Sequence, residues 1–391
     1  VLFTDFGSGQ IEHIQALAEV DAFTPVVVDH HQLGDGDVAH HLNPLLEGLD
    51  GSTELSGAGA AYVLARALGE DNRDLAALAV VGAVGDMQDA TGELVGANRR
   101  IVEEGIEAGV LETATDLALY GKQTRPLPKL LEYSSEMRIP GVTGNPTGAR
   151  RFLEDLGVEL KVDGEWRTWS DLPIDEKQRI ASAIVRLGVK SGVDASEIND
   201  LVATAYELID EAEGTQLRDA SEFSTLLNST ARYDRADVGL AVCLGDREEA
   251  YRRAKSLLRS HRENLAKGLE WVVSNGVTVE DHLQWFDAGT NIRDTIVGII
   301  AGMALGEKGI SRSMPIIAFA DKADEPKVKV SARGTHALTA KGLDLSVVMT
   351  EAAAEVGGEG GGHNVAAGAT IPGGERARFI ELADAIVGGQ L

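Results

Sequence analysis

The first quarter of the chain alternates short apolar runs with helical patterns, and this alternation constrains the fold more than any other feature. Two runs are typical of buried strands, VLFT at residues 1–4 and PVVV at residues 25–28. Three segments have helical spacing, QIEHIQALAEV, GAGAAYVLARAL and NRRIVEEGIEAGVLE, while DLAALAVVGAVGD fits a helix or a strand. Strands that alternate with helices predict an α/β fold with a doubly wound, mainly parallel sheet.

Three of the apolar runs end in an acidic residue followed by a turn. They deliver Asp5 in FTDFGSG, Asp29 with His30 and His31 in VVVDHHQ, and Asp86 in VVGAVGDMQD. Because the carboxyl ends of parallel strands meet at one edge of a sheet, we expect these side chains to lie close together. Mixed carboxylate and imidazole donors suit Mn²⁺, Zn²⁺ or Fe²⁺, with Mg²⁺ if carboxylates dominate.

Less specific interpretations of these residues remain open at the sequence level. A single Asp such as Asp5 is commonly a turn or helix-cap residue. Adjacent histidines in a strand point to opposite faces, so we expect only one of the pair to face the same site as Asp5. Asp35 and Asp37 in GDGD are more typical of an acidic turn than of a metal loop, and His40 and His41 precede the turn signal Asn43-Pro44, which favours a loop.

A second candidate site lies near the C-terminus, in GGEGGGHNVAAG at residues 357–368. Glycines allow backbone N–H groups to approach an anion closely, and His363 can donate to a phosphate. Upstream, VKVSARG ends a predicted strand at Arg333, whose guanidinium suits bidentate phosphate binding. Taken alone, Arg333 is more typical of a solvated charge at a strand end.

The middle of the chain has a different character. EKQRIASAIVRLGVKSG and ASEINDLVATAYELIDEAE have amphipathic helical patterns, and VELKVDGEWRTW predicts a hairpin around Asp-Gly. Strand and helix signals alternate again towards the C-terminus. We therefore expect a metal-binding domain at residues 1–120, a mostly helical insertion at 121–240, a connecting helix at 241–285 and a smaller α/β domain at 286–391.

The predicted connecting helix is the most basic stretch of the chain. Arg252, Lys255, Arg259 and Arg262 recur at helical spacing and share one face. This face is either a solvated surface paired with nearby acids or a surface that follows a phosphate backbone.

The overall charge is strongly negative, at −26 over 391 residues. Such a surface argues against a broad phosphate-binding face, because nucleic-acid binding normally depends on Lys and Arg. Proteins of a salt-rich cytoplasm are an exception, since salt screens acidic surfaces. The single cysteine, Cys243, is typical of a reducing compartment, and no apolar run approaches the roughly 18–20 residues that span a membrane. We therefore expect a cytoplasmic protein without a membrane partner.

Three signatures in order resemble the DHH phosphoesterases that carry a DHHA1 domain: Asp-His-His at 29–31, Asp86 in GAVGDMQD, and GGGHNVAAG at 360–368. HHLNP at 40–44 and ELSGAGAAYVLARAL at 54–68 also resemble the RecJ branch. The helical insertion and LLRSHRENLAKGLEWV are most similar to archaeal RecJ-like nucleases, including those associated with the replication factor GINS.

The resemblance implies a role for each matching residue. Asp5 matches the aspartate that bridges two metal ions, and His30 and Asp86 match ligands of one ion. Asp29 and His31 match catalytic residues that support these ligands. The C-terminal positions match residues that bind substrate phosphate, and they are Arg333, Gly361, Gly362, His363 and Asn364. The first motif of the family, an Asp-x-Asp on an earlier strand, has no match here, and we expect it upstream of Val1.

The resemblance therefore predicts a two-ion phosphodiester hydrolase that uses Mn²⁺ or Mg²⁺. In the RecJ branch the activity is 5′-to-3′ digestion of single-stranded DNA during replication and repair, with GINS or other replication proteins as partners. Two alternatives remain open at the sequence level. One is a largely non-catalytic scaffold of a replication complex, and the other is a phosphodiesterase acting on short RNA or cyclic dinucleotides.

Overall fold

The computed structural model describes residues 1–134, 138–323 and 325–391. These residues form two compact units, Val1–Asn228 and Ser229–Leu391. None of the helices in the described ranges combines the length and the apolar composition that crossing a bilayer requires.

The first unit begins with a small parallel sheet and the helices that follow it. Its elements are β1 (Leu2–Thr4), α1 (Ile11–Asp21), β2 (Val26–Val28), β3 (His41–Leu42), α2 (Gly57–Leu68), α3 (Ala76–Gly85) and α4 (Gly96–Glu107). The strands lie in the order β1-β2-β3, with Thr4 opposite Val28 and Val28 opposite Leu42. The parallel α/β arrangement predicted from the alternating pattern is therefore confirmed.

The rest of the first unit is mainly helical. It contains β4 (Leu111–Leu117), α5 (Leu127–Glu132), α6 (Pro146–Asp155), β5 (Lys161–Val162), β6 (Glu165–Trp166), α7 (Ile174–Lys190), α8 (Ala195–Asn199), β7 (Val202–Leu208) and α9 (Ala220–Ala231), which continues into the second unit. Strands β5 and β6 form the predicted hairpin, and β4 pairs antiparallel with β7. Trp169, Leu153 and Ile180 belong to the apolar core of this region.

The second unit is built on a six-stranded mixed sheet. Its elements are α10 (Ala236–Cys243), α11 (Glu249–Asn275), β8 (Thr278–Val279), β9 (Gln284–Asp287), α12 (Val297–Ala304), β10 (Ile316–Asp321), β11 (Lys327–Arg333), α13 (His336–Thr339), α14 (Leu345–Glu355), β12 (Glu359–Gly362), β13 (Ala366–Pro372) and α15 (Arg376–Gln390). The strand order is β12-β13-β11-β10-β9-β8. Helices α14 and α15 contribute to one apolar core against the sheet, and α11 and α12 contribute to another.

The structure settles one alternative that the sequence left open and differs from the predicted secondary structure in one other place. Residues 76–85, which fit a helix or a strand, form helix α3. The helix predicted over ASEINDLVATAYELIDEAE is wrong, because only Ala195–Asn199 is helical and Val202–Leu208 is strand β7. The β-branched and aromatic residues of VATAYEL suit a strand, and pairing with β4 satisfies their backbone groups.

Helices α2 and α3 approach closely through two small residues. A Cβ on Gly82 of α3 would overlap the Cβ of Ala58 of α2, which has no flexible side chain that could move aside. The two backbones therefore have to separate if Gly82 gains a side chain.

We expect Gly82→Ala to lower the free energy of unfolding by about 1–2 kcal/mol. Overpacking costs about 1–3 kcal/mol, and the better helix propensity of Ala returns about 0.5–1 kcal/mol. Thermal denaturation followed by circular dichroism measures the change. Gly389→Ala in α15 is the control, because its added Cβ meets no described atom within 4 Å. Equal melting temperatures for the two variants would contradict the close packing of α2 and α3.

Candidate active site

The ends of β1 and β2 bring Asp5 and Asp29 to the same edge of the parallel sheet. The Asp5 N–H donates to the Val28 carbonyl at 2.9 Å, and the Asp29 N–H donates to the Leu42 carbonyl at 3.0 Å. Asp5 adopts a left-handed backbone conformation with φ of 59°, which an Asp tolerates better than a β-branched residue. The sheet thus ends at the two acids, and the chain turns away from the strand direction at each.

Asp29 is fully buried and accepts several hydrogen bonds. Its Oδ2 accepts from the Ser8 N–H at 2.8 Å, and its Oδ1 accepts from the N–H groups of His30 at 2.8 Å and His31 at 3.3 Å. Burial alone would raise the pKa of this carboxyl, but the hydrogen bonds from His31, Ser8 and His30 favour the ionised form and lower the pKa to about 2.

His31 is oriented by Asp29. Its Nδ1 donates to Asp29 Oδ1 at 2.7 Å, which leaves Nε2 available as a donor atom for a ligand. The expectation that adjacent histidines face opposite sides is wrong here, because β2 ends at Val28 and both histidines follow the strand. The rings of His30 and His31 lie 4.4 Å apart, centroid to centroid.

His30 is held between a backbone carbonyl and two carboxylates. Its Nδ1 donates to the Gly51 carbonyl at 2.7 Å, and its Nε2 lies 3.2 Å from Asp5 Oδ1. Asp86 Oδ2 lies 3.7 Å from Nδ1. Burial would lower the pKa of His30, but the contacts with Asp5, Gly51 and Asp86 outweigh it and raise the pKa to about 9.

Asp86 reaches this site from the end of a helix. It follows α3, and its backbone N–H caps that helix by donating to the Gly82 carbonyl at 2.9 Å. The prediction that Asp86 lies at the end of a strand, like Asp5 and Asp29, is therefore wrong. Burial raises the pKa of the Asp86 carboxyl, against the opposing effects of His30 and Gln88. The buried Gln88 amide donates to Asp86 Oδ2 and to the Gly51 carbonyl, each at 2.9 Å.

The donor atoms of Asp5, His30 and His31 lie within 4.8 Å of one another. A carboxylate with two imidazoles fits Mn²⁺ or Zn²⁺, and the further carboxylate of Asp86 beside His30 also permits Mg²⁺. A Cβ on Gly57 of α2 would overlap the Asp5 carboxylate, so glycine at this position is what leaves room for Asp5.

A cavity of about 240 Å³ opens beside Asp5 and Asp86. Small residues of α2 and α3 form much of its wall, α9 contributes three residues, and residues that flank β1, α2 and α3 complete it. The lining residues are Asp5, Ser56, Gly57, Ala58, Val81, Gly82, Gly85, Asp86, Ser224, Leu227 and Asn228. The cavity is therefore lined by two acidic residues and has space for a small polar group.

The first unit also contains His41, Asp35 and Asp37, for which the sequence predicted loop or turn positions. His41, predicted in a loop, belongs to strand β3, and its Nε2 lies 2.8 Å from Ser8 Oγ. This contact links it to the hydrogen bonds around Asp29. Asp35 and Asp37 lie in the non-helical segment between β2 and β3, outside the cluster of Asp5, His30 and His31.

The second unit brings Arg333 and the glycine-rich turn to the same end of its sheet. Arg333 pairs with Ala366, and β12 ends at Gly362, where the turn into β13 begins with His363 and Asn364. The His363 N–H donates to the Ala366 carbonyl at 2.9 Å, which closes the turn and leaves the imidazole exposed. Gly361 lies opposite Gly368 in the adjacent strand.

Further polar side chains near Arg333 escaped the sequence analysis. Ser331 and Lys329 alternate with buried residues on β11 and therefore share the face of Arg333. Arg232, which follows α9, donates to the Thr295 carbonyl at 3.1 Å. Burial and the charge of Arg232 both lower the pKa of Arg333. The alternation of VKVSAR was the available signal for the strand residues, whereas no local pattern marked Arg232.

Family models match two parts of this chain. The DHH-CID domain matches residues 119–202, and the DHHA1 domain matches residues 277–389. An uncharacterized protein of Methanocaldococcus jannaschii, MJ0831, is 31% identical over 395 residues, which cover 100% of this chain and 81% of that protein.

Two solved structures share the fold. RecJ from Thermus thermophilus in complex with Mn²⁺ has a TM-score of 0.56 and 17% identity, covering 99% of this chain but 44% of RecJ. CDC45 from Entamoeba histolytica has a TM-score of 0.62 and 12% identity, covering 99% of this chain and 84% of CDC45. With its DHH-CID domain, its DHHA1 domain and its relative in Methanocaldococcus jannaschii, the chain belongs to the DHH/DHHA1 family, and its fold is like that of RecJ.

Proposed function

We propose that this protein is a divalent-metal-dependent phosphodiesterase that digests single-stranded DNA from its 5′ end. The observation that carries the proposal is the convergence of Asp5, His30 and His31, whose donor atoms lie within 4.8 Å beside an acidic cavity. Membership of the DHH/DHHA1 family and the Mn²⁺ complex of the RecJ relative support it.

In this proposal Mn²⁺ or Mg²⁺ supplies Lewis acidity and a water that is nucleophilic at neutral pH. Asp5 would be the ligand that two ions share, and His30 and Asp86 would be ligands of one of them. The Gly51 carbonyl fixes the His30 tautomer so that Nε2 faces Asp5, and Asp29 holds the His31 ring in place. Asp29 thus acts on the reaction through the position of His31, which supports the ligands and presents its Nε2 to the same site.

The C-terminal unit binds substrate phosphate in this proposal. Arg333 supplies a guanidinium, and Gly361, Gly362, His363 and Asn364 supply a turn whose exposed groups can donate to an anion. Arg232 and Ser331 are additional donors near Arg333. The proposal also includes the division into domains at residues 1–120, 121–240, 241–285 and 286–391. It further includes a role alongside GINS or another replication protein.

We expect His30→Ala in the full-length protein to abolish Mn²⁺-dependent release of nucleotides from 5′-labelled single-stranded DNA. It should also weaken Mn²⁺ binding, measured by calorimetry, by at least about 10-fold, because a ligand imidazole is lost. His13→Ala is the control, since His13 is exposed on α1. If the wild-type protein and His30→Ala were equally inert, the result would favour the non-catalytic scaffold. Faster cleavage of RNA or of a cyclic dinucleotide than of DNA would assign the enzyme a different class of substrate.

We expect Asp29→Asn to lower the free energy of unfolding near neutral pH by about 2–4 kcal/mol, because it leaves buried donors without an ionised acceptor. The pKa of about 2 means that ionised Asp29 stabilises the native state above its ordinary pKa of 3.8. This contribution is lost as the pH falls through about 2.

Urea denaturation at a series of acidic pH values measures this effect. The wild-type advantage over Asp29→Asn should shrink as the pH falls below about 4. Asp163→Asn, on the exposed β5–β6 turn, makes the same chemical change at the surface and should leave the acid dependence as it is. A constant difference between wild type and Asp29→Asn at every pH would refute the stabilising role of the ionised carboxylate.

We expect Arg333→Gln to reduce kcat/KM for single-stranded DNA by about 10- to 100-fold, mainly through KM, because a charge-assisted contact with phosphate is lost. Steady-state kinetics on strands with and without a 5′-phosphate measure the effect. Arg312→Gln, at an exposed position of the same unit, is the control. Unchanged kinetics for Arg333→Gln would remove this residue from the proposed phosphate site.

A further inference from the structure

Helix α11 is the longest helix of the described chain, at 27 residues or about 40 Å. One face is buried and includes Ala254, Leu258 and Val272. The part towards its C-terminal end packs on the same apolar core as α12. The helix is thus firmly attached to the second unit while its other face meets solvent.

The solvent-facing side of α11 is basic although the protein is strongly acidic. The helix contains six Lys and Arg residues against three Glu residues, in a chain with a net charge of −26. Five of its cations are exposed and the sixth is half-buried. They are Arg252, Arg253, Lys255, Arg259, Lys267 and the half-buried Arg262. This concentration of positive charge sets the face apart from the rest of the chain.

Three of the exposed cations, Arg252, Lys255 and Arg259, are little neutralised by residues that the structure describes. Arg252 pairs with Glu249 one turn away, and both side chains are exposed, so the pair contributes little. The Lys255 ammonium lies 4.4 Å from the centre of the Tyr251 ring, which leaves its charge available to an anion. Arg259 has no hydrogen bond or ion pair with any residue in the described ranges. Like charges at these helical spacings repel one another, and a bound polyanion would relieve the repulsion.

The spacing of the cations suits a linear polyanion. Arg252, Lys255 and Arg259 follow one another at about 4.5–6 Å along the helix axis. This separation is comparable with that between neighbouring phosphates of an extended strand. A row of phosphates can therefore meet successive side chains, which a single small anion cannot do.

We propose that the exposed basic face of α11 binds the phosphate backbone of a single-stranded polynucleotide. The inference rests on the proposed function, and it adds that the substrate is a strand of several nucleotides. Binding along this face adds affinity for long strands and contributes nothing to a dinucleotide, which has too few phosphates to reach several cations. The face also makes binding strongly dependent on salt, since each phosphate contact releases counterions.

The test compares the wild-type protein with a variant that carries Arg252→Gln, Lys255→Gln and Arg259→Gln together. Binding of a labelled long oligothymidylate is measured by fluorescence anisotropy in EDTA at several salt concentrations, so that no cleavage occurs. The matched control carries Arg151→Gln, Arg179→Gln and Lys190→Gln on exposed positions of α6 and α7. Hydrolysis of a dinucleotide with Mn²⁺ is measured in parallel, and circular dichroism verifies the fold of each variant.

We expect the α11 variant to bind the long strand at least about 10-fold more weakly, with a salt dependence shallower by about two units of slope. Dinucleotide hydrolysis and the control variant should match the wild type. An unchanged affinity for the long strand overturns the inference, and so does an equal loss of affinity for polyglutamate, which would indicate an acidic protein partner. A wild-type protein that hydrolyses no substrate refutes the proposed function instead, while the binding measurement still decides the role of α11.

Discussion

The buried carboxylate of Asp29 is the constraint on which the first unit depends. It accepts from Ser8, His30 and His31, and the Asn43 amide closes the same network by donating to Ser8 Oγ at 2.8 Å and to the His31 carbonyl at 2.9 Å. An ionised carboxylate without these donors would be costly in a buried position. The hydrogen bonds therefore fix the segments after β1, β2 and β3 relative to one another, and both histidines follow from that arrangement.

Close packing around the acidic cluster is a second constraint. Gly57 leaves room for the Asp5 carboxylate, and Gly82 lets α3 approach Ala58 of α2. These contacts place Asp86, at the end of α3, next to His30. The same small residues border the cavity beside the carboxylates, so the packing of α2 on α3 and the shape of the candidate site have one physical origin.

The distribution of charge matters for the proposed function, because a strongly acidic protein then has to bind a polyanion. The net charge of −26 disfavours nucleic acid over much of the surface, whereas two groups of cations in the second unit lie along α11 and on β11, where Lys329 and Arg333 share one face. In the proposal, phosphate binds at these basic places. The carboxylates of the first unit have a different proposed role, because they would hold metal ions and not contact phosphate directly.

Local periodicity and motifs were enough to predict the α/β class, the parallel β1–β2 pairing, the β5–β6 hairpin, the long helix α11 and the DHH/DHHA1 membership. Asp5, His30 and Asp86 could be named from the sequence for the same reason. Tertiary contacts were needed to establish that β7 is a strand, since pairing with β4 overrides its helical pattern. They were also needed to bring both histidines to Asp5 and to add Gln88, Ser331 and Arg232 to the sites, because contacts between residues distant in sequence leave no local pattern.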